Sequence, residues 1–163
     1  MLVLGIDPGL LKTGWGLVKF VNGNLIYVDS GTVFTNQKLP MEERLKNIFN
    51  ILDLIIKNYK PECVSIEETF INNNAVSSLK LGQARGVAIL SAGVNGIRVF
   101  EYLPNAIKKA VTGVGKATKD QMVAMVKCLL PLSNTKTEDE ADALAMAICH
   151  INNTVYFNNW TKL

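Results

Sequence analysis

Three short segments carry acids at spacings that could do chemistry: Leu4-Gly5-Ile6-Asp7, Val64-Ser65-Ile66-Glu67 and Asp139-Glu140-Ala141-Asp142. In the first two, apolar residues stand one and three positions before the carboxylate, the alternation of a half-buried strand. If both strands are central and adjacent, Asp7 and Glu67 project from corresponding ends on one sheet face. The third segment opens a helix whose apolar stripe is Leu144, Ala147, Ile148 and Ile151. Asp139 and Asp142, three residues apart, lie on one face of that helix and can point together at the strand ends. Four ionised carboxylates brought together repel unless something neutralises them. Mg²⁺ suits that role, because it prefers oxygen ligands and keeps positions for water and substrate phosphate. Two such ions roughly 4 Å apart can activate an attacking water and stabilise a leaving oxygen, which is what phosphodiester hydrolysis requires.

Each acid also has an ordinary structural reading. Asp7 precedes Pro8-Gly9, as a turn residue does, and Glu67-Glu68 at a strand end can simply be solvated. Acids in a first helical turn favour the helix macrodipole, and that is the role expected of Glu138 and Glu140. Periodicity alone leaves the metal site and these readings both open.

The elements that must position the acids follow from composition and punctuation. Residues 2–6 form a short apolar run stopped by Asp-Pro-Gly, as in a buried strand that meets a turn. Residues 13–21 and 25–34 have strand composition, with Asn22-Gly23-Asn24 between them as a hairpin turn. Leu45, Ile48, Phe49, Leu52, Ile55 and Ile56 predict a helix over 40–58, closed by Pro61. A second buried strand is expected at 63–66, a polar loop at 72–74, a helix over 75–92 and a strand over 98–102. A short helix over 104–111 precedes the glycine loop 112–116. Thr118 is the expected N-cap of a helix that ends near Leu130, and Thr137 with Glu140 forms a capping-box pattern before the last helix. The order predicts an α/β fold: a mixed central sheet of three antiparallel strands followed by parallel ones, flanked by helices. One domain is expected over 1–153, with a tail at 154–163 that has no clear period and is expected to be partly mobile.

Composition agrees with a single domain. The chain has 163 residues and is 48% hydrophobic, enough for one core. No run approaches the roughly 18 apolar residues of a membrane span, and MLVLGIDPG has no basic leader, so neither a membrane segment nor a signal peptide is expected. Cys63, Cys128 and Cys149 are scattered without metal-type spacing and read as buried, reduced thiols of a cytoplasmic protein. Net charge is only +3, but it is unevenly spread. Arg98, Lys108, Lys109, Lys116, Lys119 and Lys127 make a basic middle that contrasts with the acidic run at 138–142.

With these residues in view, the chain resembles the RuvC-type crossover junction endonucleases, the bacterial Holliday junction resolvases. The matching segments are LGIDPGLLKTGWG (4–16), SIEETF (65–70), LKLGQARGVAI (79–89), VFEY (99–102), GVGKATKDQM (113–122) and DEADALAMAICH (139–150). They are collinear and span nearly the whole domain. The resemblance implies a ribonuclease-H-like fold and a homodimer that makes symmetric nicks in two strands of like polarity at a four-way DNA junction. It also implies Mg²⁺, with Mn²⁺ as a substitute, and a branch-migration helicase complex as partner. The family's four acids fall on Asp7, Glu67, Asp139 and Asp142. Its phosphate-contacting lysines match Lys108 and Lys119, and its base-stacking aromatic matches Phe70. Gln83 and Arg85 are expected near the junction DNA, while Leu79, Leu81 and Val87 pack and their helix forms the dimer interface. The resemblance does not extend to the apolar Leu10-Leu11 or to the tail. His150, late in the last helix, is expected to be structural.

Two other classes fit parts of the pattern. A junction-binding dimer without nuclease activity would have no use for clustered acids. An actin-like or sugar-kinase-like ATPase shares the Asp-x-Gly loop, but that fold needs a second domain, for which 163 residues leave no room.

Overall fold

Alternation in the first strand decides the layering. In β1 (Leu2–Asp7) and β4 (Cys63–Glu67), Leu4, Ile6, Val64 and Ile66 face one way, and Val3, Gly5, Asp7, Cys63, Ser65 and Glu67 face the other. The computed structural model describes residues 1–68 and 75–160. Within these residues a five-stranded sheet has the order β3-β2-β1-β4-β5. Here β2 is Lys12–Val21, β3 is Asn24–Phe34 and β5 is Arg98–Tyr102. The first three strands are antiparallel neighbours, and β1, β4 and β5 run parallel, as the order of elements predicted. The hairpin turn also stands where expected, with Asn22 and Gly23 at positive φ.

Helices α1 (Met41–Tyr59) and α2 (Ala75–Val94) cover the large apolar face. Ile48, Leu52, Ile55 and Ile56 of α1 are buried there against Leu4, Ile6, Val64 and Ile66. Burying each such side chain contributes about 1.5–3 kcal/mol. From α2 the fully buried residues of this core are small, Ala84, Ala88 and Ala92, with Val87 and Ile89 packed half-buried against it.

The opposite face is covered by α5 (Glu138–Trp160), with α3 (Pro104–Thr112) and α4 (Lys119–Leu129) packed outside it. Leu144, Ala147, Ile148 and Ile151 are buried as their stripe predicted, but so are Ala141, Ala143, Ala145, Met146, Cys149 and His150. A helix apolar all round is a buried helix, and α5 is the central one here. Thr118 caps α4 in a capping box with Gln121. Among the described residues no helix is long and apolar enough to cross a membrane.

Three expectations are corrected. The boundary drawn at 153 falls inside α5, which continues to Trp160. Its asparagines do not end it, because Asn152 donates to the Ala110 carbonyl and Asn153 to that of Cys149, while Thr154 bonds back to His150. Cys128 is exposed, unlike Cys63 and Cys149, since it sits off the α4 face that buries Met122 and Val126. Leu79 lies 66% exposed on the outer face of α2 instead of packing into the core. The loop at 72–74 lies outside the described residues.

Candidate active site

Parallel pairing of β1 with β4 runs to Ile6 opposite Ile66, so the next residues, Asp7 and Glu67, leave the sheet side by side. Both turn toward α5. That helix comes unusually close because the positions beneath it are small. A methyl group on Gly5 would collide with the backbone of Ala143, and one on Gly14, which pairs with Asp7 across β2, would collide with that of Asp139. Ser65, beside Gly5 on β4, is small as well, and its hydroxyl donates to the Met146 carbonyl at 2.8 Å. Close approach of the α5 backbone is what brings Asp139 and Asp142 to the strand ends.

Asp7, Glu67 and Asp142 line one pocket of about 330 Å³, together with Lys108 of α3 and Lys119 of α4. Its apolar wall is Ile107, Met122, Ala145 and Met146. Asp139 does not line this pocket, but its charge acts on Asp7. Among the described residues, no three acidic, His or Cys side chains close into a cage of their own. The acids ring an opening.

Electrostatics record the crowding. Asp7 is pushed from the ordinary 3.8 to about 8, first by burial and then by repulsion from Asp142, Asp139 and Glu67, against a smaller pull from Lys119. Burial followed by Asp142 raises Glu67, with Lys108 opposing. Burial also raises Asp142, and here Lys119 is the larger opposing influence. Lys119 is itself raised by its hydrogen bond to Glu138 and by Asp142. Its 3.3 Å ion pair with Glu138 is largely solvent-exposed and therefore weak, leaving the ammonium free to turn into the pocket.

Other candidate residues divide. Gln83 is exposed on α2. Arg85 is drawn inward: its Nε donates to the Glu67 carbonyl at 3.3 Å, and its guanidinium pairs with Glu101 on β5. Phe70 lies outside the described residues. His150 is structural, as expected; its Nδ1 is 2.7 Å from the Tyr102 hydroxyl, its ring packs on Phe100, and burial lowers its pKa. Glu140, expected only to favour the macrodipole and to pair with Thr137 as a cap, does bond Thr137 but is also 5% exposed and hydrogen-bonded to β3. Two signals were available for what was missed: the small residue two positions before each strand carboxylate, and the alternating hydroxyls Ser30 and Thr32.

The family model for the crossover junction endodeoxyribonuclease RuvC matches residues 3–150. The chain belongs to the RuvC family. RuvC of Brucella suis is 47% identical over 148 residues, covering 91% of this chain and 86% of that protein. RuvC of Rhizobium leguminosarum is 47% identical over 151 residues, covering 93% and 89%. Thermus thermophilus RuvC superimposes with a TM-score of 0.86 at 30% identity, covering 96% of each chain. The same protein in complex with Holliday junction substrate gives 0.89 at 31% identity, covering 94% of each. The fold is therefore ribonuclease-H-like, as the resemblance implied.

Proposed function

We propose that this chain is a structure-specific DNA endonuclease that resolves Holliday junctions by paired, symmetric nicks in strands of like polarity, in recombination and repair. The observation that carries this reading is the pocket where Asp7, Glu67 and Asp142 meet Lys108 and Lys119, in a chain of the RuvC family. Its donors are carboxylate oxygens whose pKa values are raised by burial and then by mutual repulsion, the condition that a hard divalent cation relieves. Asp7, Glu67, Asp142 and the adjacent Asp139 would hold Mg²⁺, with Mn²⁺ as a substitute and two ions per site. When bound, the cations supply Lewis-acid stabilisation of the phosphate and a more acidic attacking water. Lys108 and Lys119 hold the phosphate backbone by charge from the two flanking helices. The hydrophobic wall of Met122 and Met146 limits water on the inner side. Phe70 stacks on junction bases, and Gln83 and Arg85 approach the DNA, Arg85 from beside Glu67.

A second copy of the chain is assigned to the outer face of α2. Val76, Leu79, Leu90 and Val94 are exposed there, and Gly82, Gly86 and Gly93 have open space above them. Positions 76, 79, 83, 86 and 90 alternate in steps of three and four, the spacing of a helix seam that pairs with another helix. A two-fold dimer presents two equivalent pockets to a two-fold junction. The setting is the cytoplasm, with a branch-migration helicase complex as partner.

Cleavage of a synthetic four-way junction against a linear duplex of the same sequence, with Mg²⁺ present, tests the activity. Selective cutting of the junction is expected; equal cutting of both, or none of either, rejects the reading. Leu79→Asp with Leu90→Asp should yield a monomer by light scattering that no longer makes paired nicks. A double variant that remains dimeric would remove α2 from the interface.

A further inference from the structure

We infer that Glu140 is a positioning residue: its buried carboxylate ties the acid-bearing first turn of α5 to β3 and thereby sets Asp139 and Asp142 against Asp7. This inference rests on the metal-dependent nuclease reading above.

Glu140 stands between the two helix acids but points away from their pocket, and it is 5% exposed. Its Oε2 accepts from the Ser30 hydroxyl at 3.2 Å and from the Lys136 backbone N–H at 3.1 Å. Its Oε1 accepts from Thr32 at 3.4 Å and from Thr137 at 3.3 Å. The Thr32 and Thr137 hydroxyls are also 2.7 Å apart, so two protons serve three contacts and the group is tightly coupled. The Glu140 N–H in turn donates to the Thr137 hydroxyl. Among the described residues no cation forms an ion pair with it. A carboxylate that merely complements a helix dipole can stay in water, where it costs nothing to desolvate. Burial against neutral donors from a strand more than a hundred residues away is the signature of registration.

The register shows why this tie matters. Thr32 pairs with Gly14, and Gly14 pairs with Asp7, so Glu140 grips the same cross-strand row that ends in the Asp7 carboxylate. Ser30 pairs with Gly16, and Gly16 with Gly5, the row that α5 crosses at closest approach. Toward the middle of the helix, Ser65 makes the matching tie to the Met146 carbonyl. Contact with Gly5 and Gly14 limits how near α5 can come; Glu140 limits how it can slide or turn at the end that carries the acids.

The test compares Glu140→Ala, Glu140→Gln and Thr32→Val with the wild type, using Mn²⁺ binding by electron paramagnetic resonance and single-turnover junction cleavage. Glu140→Ala should weaken Mn²⁺ binding and slow cleavage together, each by roughly 10- to 100-fold, as loss of outer-layer support does at metal sites. Metal-free junction affinity should stay at the wild-type value. Glu140→Gln, which retains one acceptor oxygen, should recover part of both losses. Thr32→Val reports on the same tie from the strand side should Glu140→Ala fail to fold, and a smaller loss in the same two quantities is expected. Folded variants with a lowered melting temperature but wild-type Mn²⁺ affinity and cleavage would overturn the inference, leaving Glu140 a purely structural clamp. A wild-type protein that neither binds Mn²⁺ nor cuts junctions would overturn the nuclease reading instead.

Discussion

The two faces of the central sheet are built from alternate residues of the same strands, yet they do opposite things. One face presents Leu4, Ile6, Val64 and Ile66 to α1 and α2, where large side chains fill the space between layers. The other presents Gly5 and Ser65 and ends in Asp7 and Glu67, and α5 lies so close that the backbone replaces side chains as the packing surface. Both faces bury large side chains, Leu144, Ile148 and Ile151 of α5 among them, but only beneath the acids is placement set by backbone contact. A residue's size therefore has opposite value at the two sites: the α1/α2 core is harmed by losing volume, the Gly5 and Gly14 positions by gaining it.

The sharpest way to test the division is at the acid itself. Asp7→Asn should lower junction cleavage by roughly 10²–10³-fold or more, since it removes a charge proposed to hold the catalytic cation. Junction binding should persist, and loss of both would argue against a purely metal role. Stability should move the other way. A carboxyl raised from 3.8 to about 8 binds its proton more tightly in the folded state, so metal-free wild-type protein loses stability as pH rises across that interval. Asp7→Asn lacks the Asp7 share of this dependence and should melt higher at neutral pH, by roughly 2–4 °C for each kcal/mol of desolvation and repulsion relieved. Thermal melts from pH 4 to pH 8 without divalent metal check the sign; a wild-type protein that gains stability over that range would contradict it.

Adding one methyl group to the α5 face should be nearly as harmful to catalysis. Gly5→Ala forces α5 away from β1, and overpacking of this kind costs about 1–3 kcal/mol. A displacement near 1 Å at the acids can cost roughly 10²-fold in rate, so cleavage should fall well beyond what the unfolded fraction explains. Unchanged single-turnover cleavage in Gly5→Ala would break the comparison. On the opposite face, Ile66→Ala should destabilise by roughly 2–5 kcal/mol, because Ile66 is fully buried, while the folded protein cuts at the wild-type rate. Denaturant melts combined with cleavage normalised to folded protein separate the two effects.

How much of this was legible depends on how far apart the interacting residues are. The strands, their parallel and antiparallel order, the Thr118 N-cap of α4 and the pairing of Asp7 with Glu67 follow from alternation, turn residues and cap residues, all of them local. The convergence of Lys108 and Lys119 on the acids was reached only through the family resemblance, since a lysine on a helix face is ordinarily solvated. Arg85 was expected near DNA because it lies in a family segment; its ion pair with Glu101, sixteen residues away on β5, had no local signal. Helix α5 was expected to be amphipathic, and the burial of every residue from Glu140 to Ile151 except Asp142 came from packing on both sides by the sheet and by α3 and α4.

By itself, then, the sequence determined which residues alternate, where helices start and stop, and which acids can share a face, because those properties repeat within a few residues. Only the tertiary structure decided that Gly5, Gly14 and Ser65 are the floor on which α5 rests, and that Glu140 belongs to β3 and not to the solvent. Contacts such as Ser30 with Glu140 join positions 110 residues apart, and nothing in a local period encodes that distance. The acids can be found from their spacing; their geometry exists only once the backbone of α5 meets the sheet.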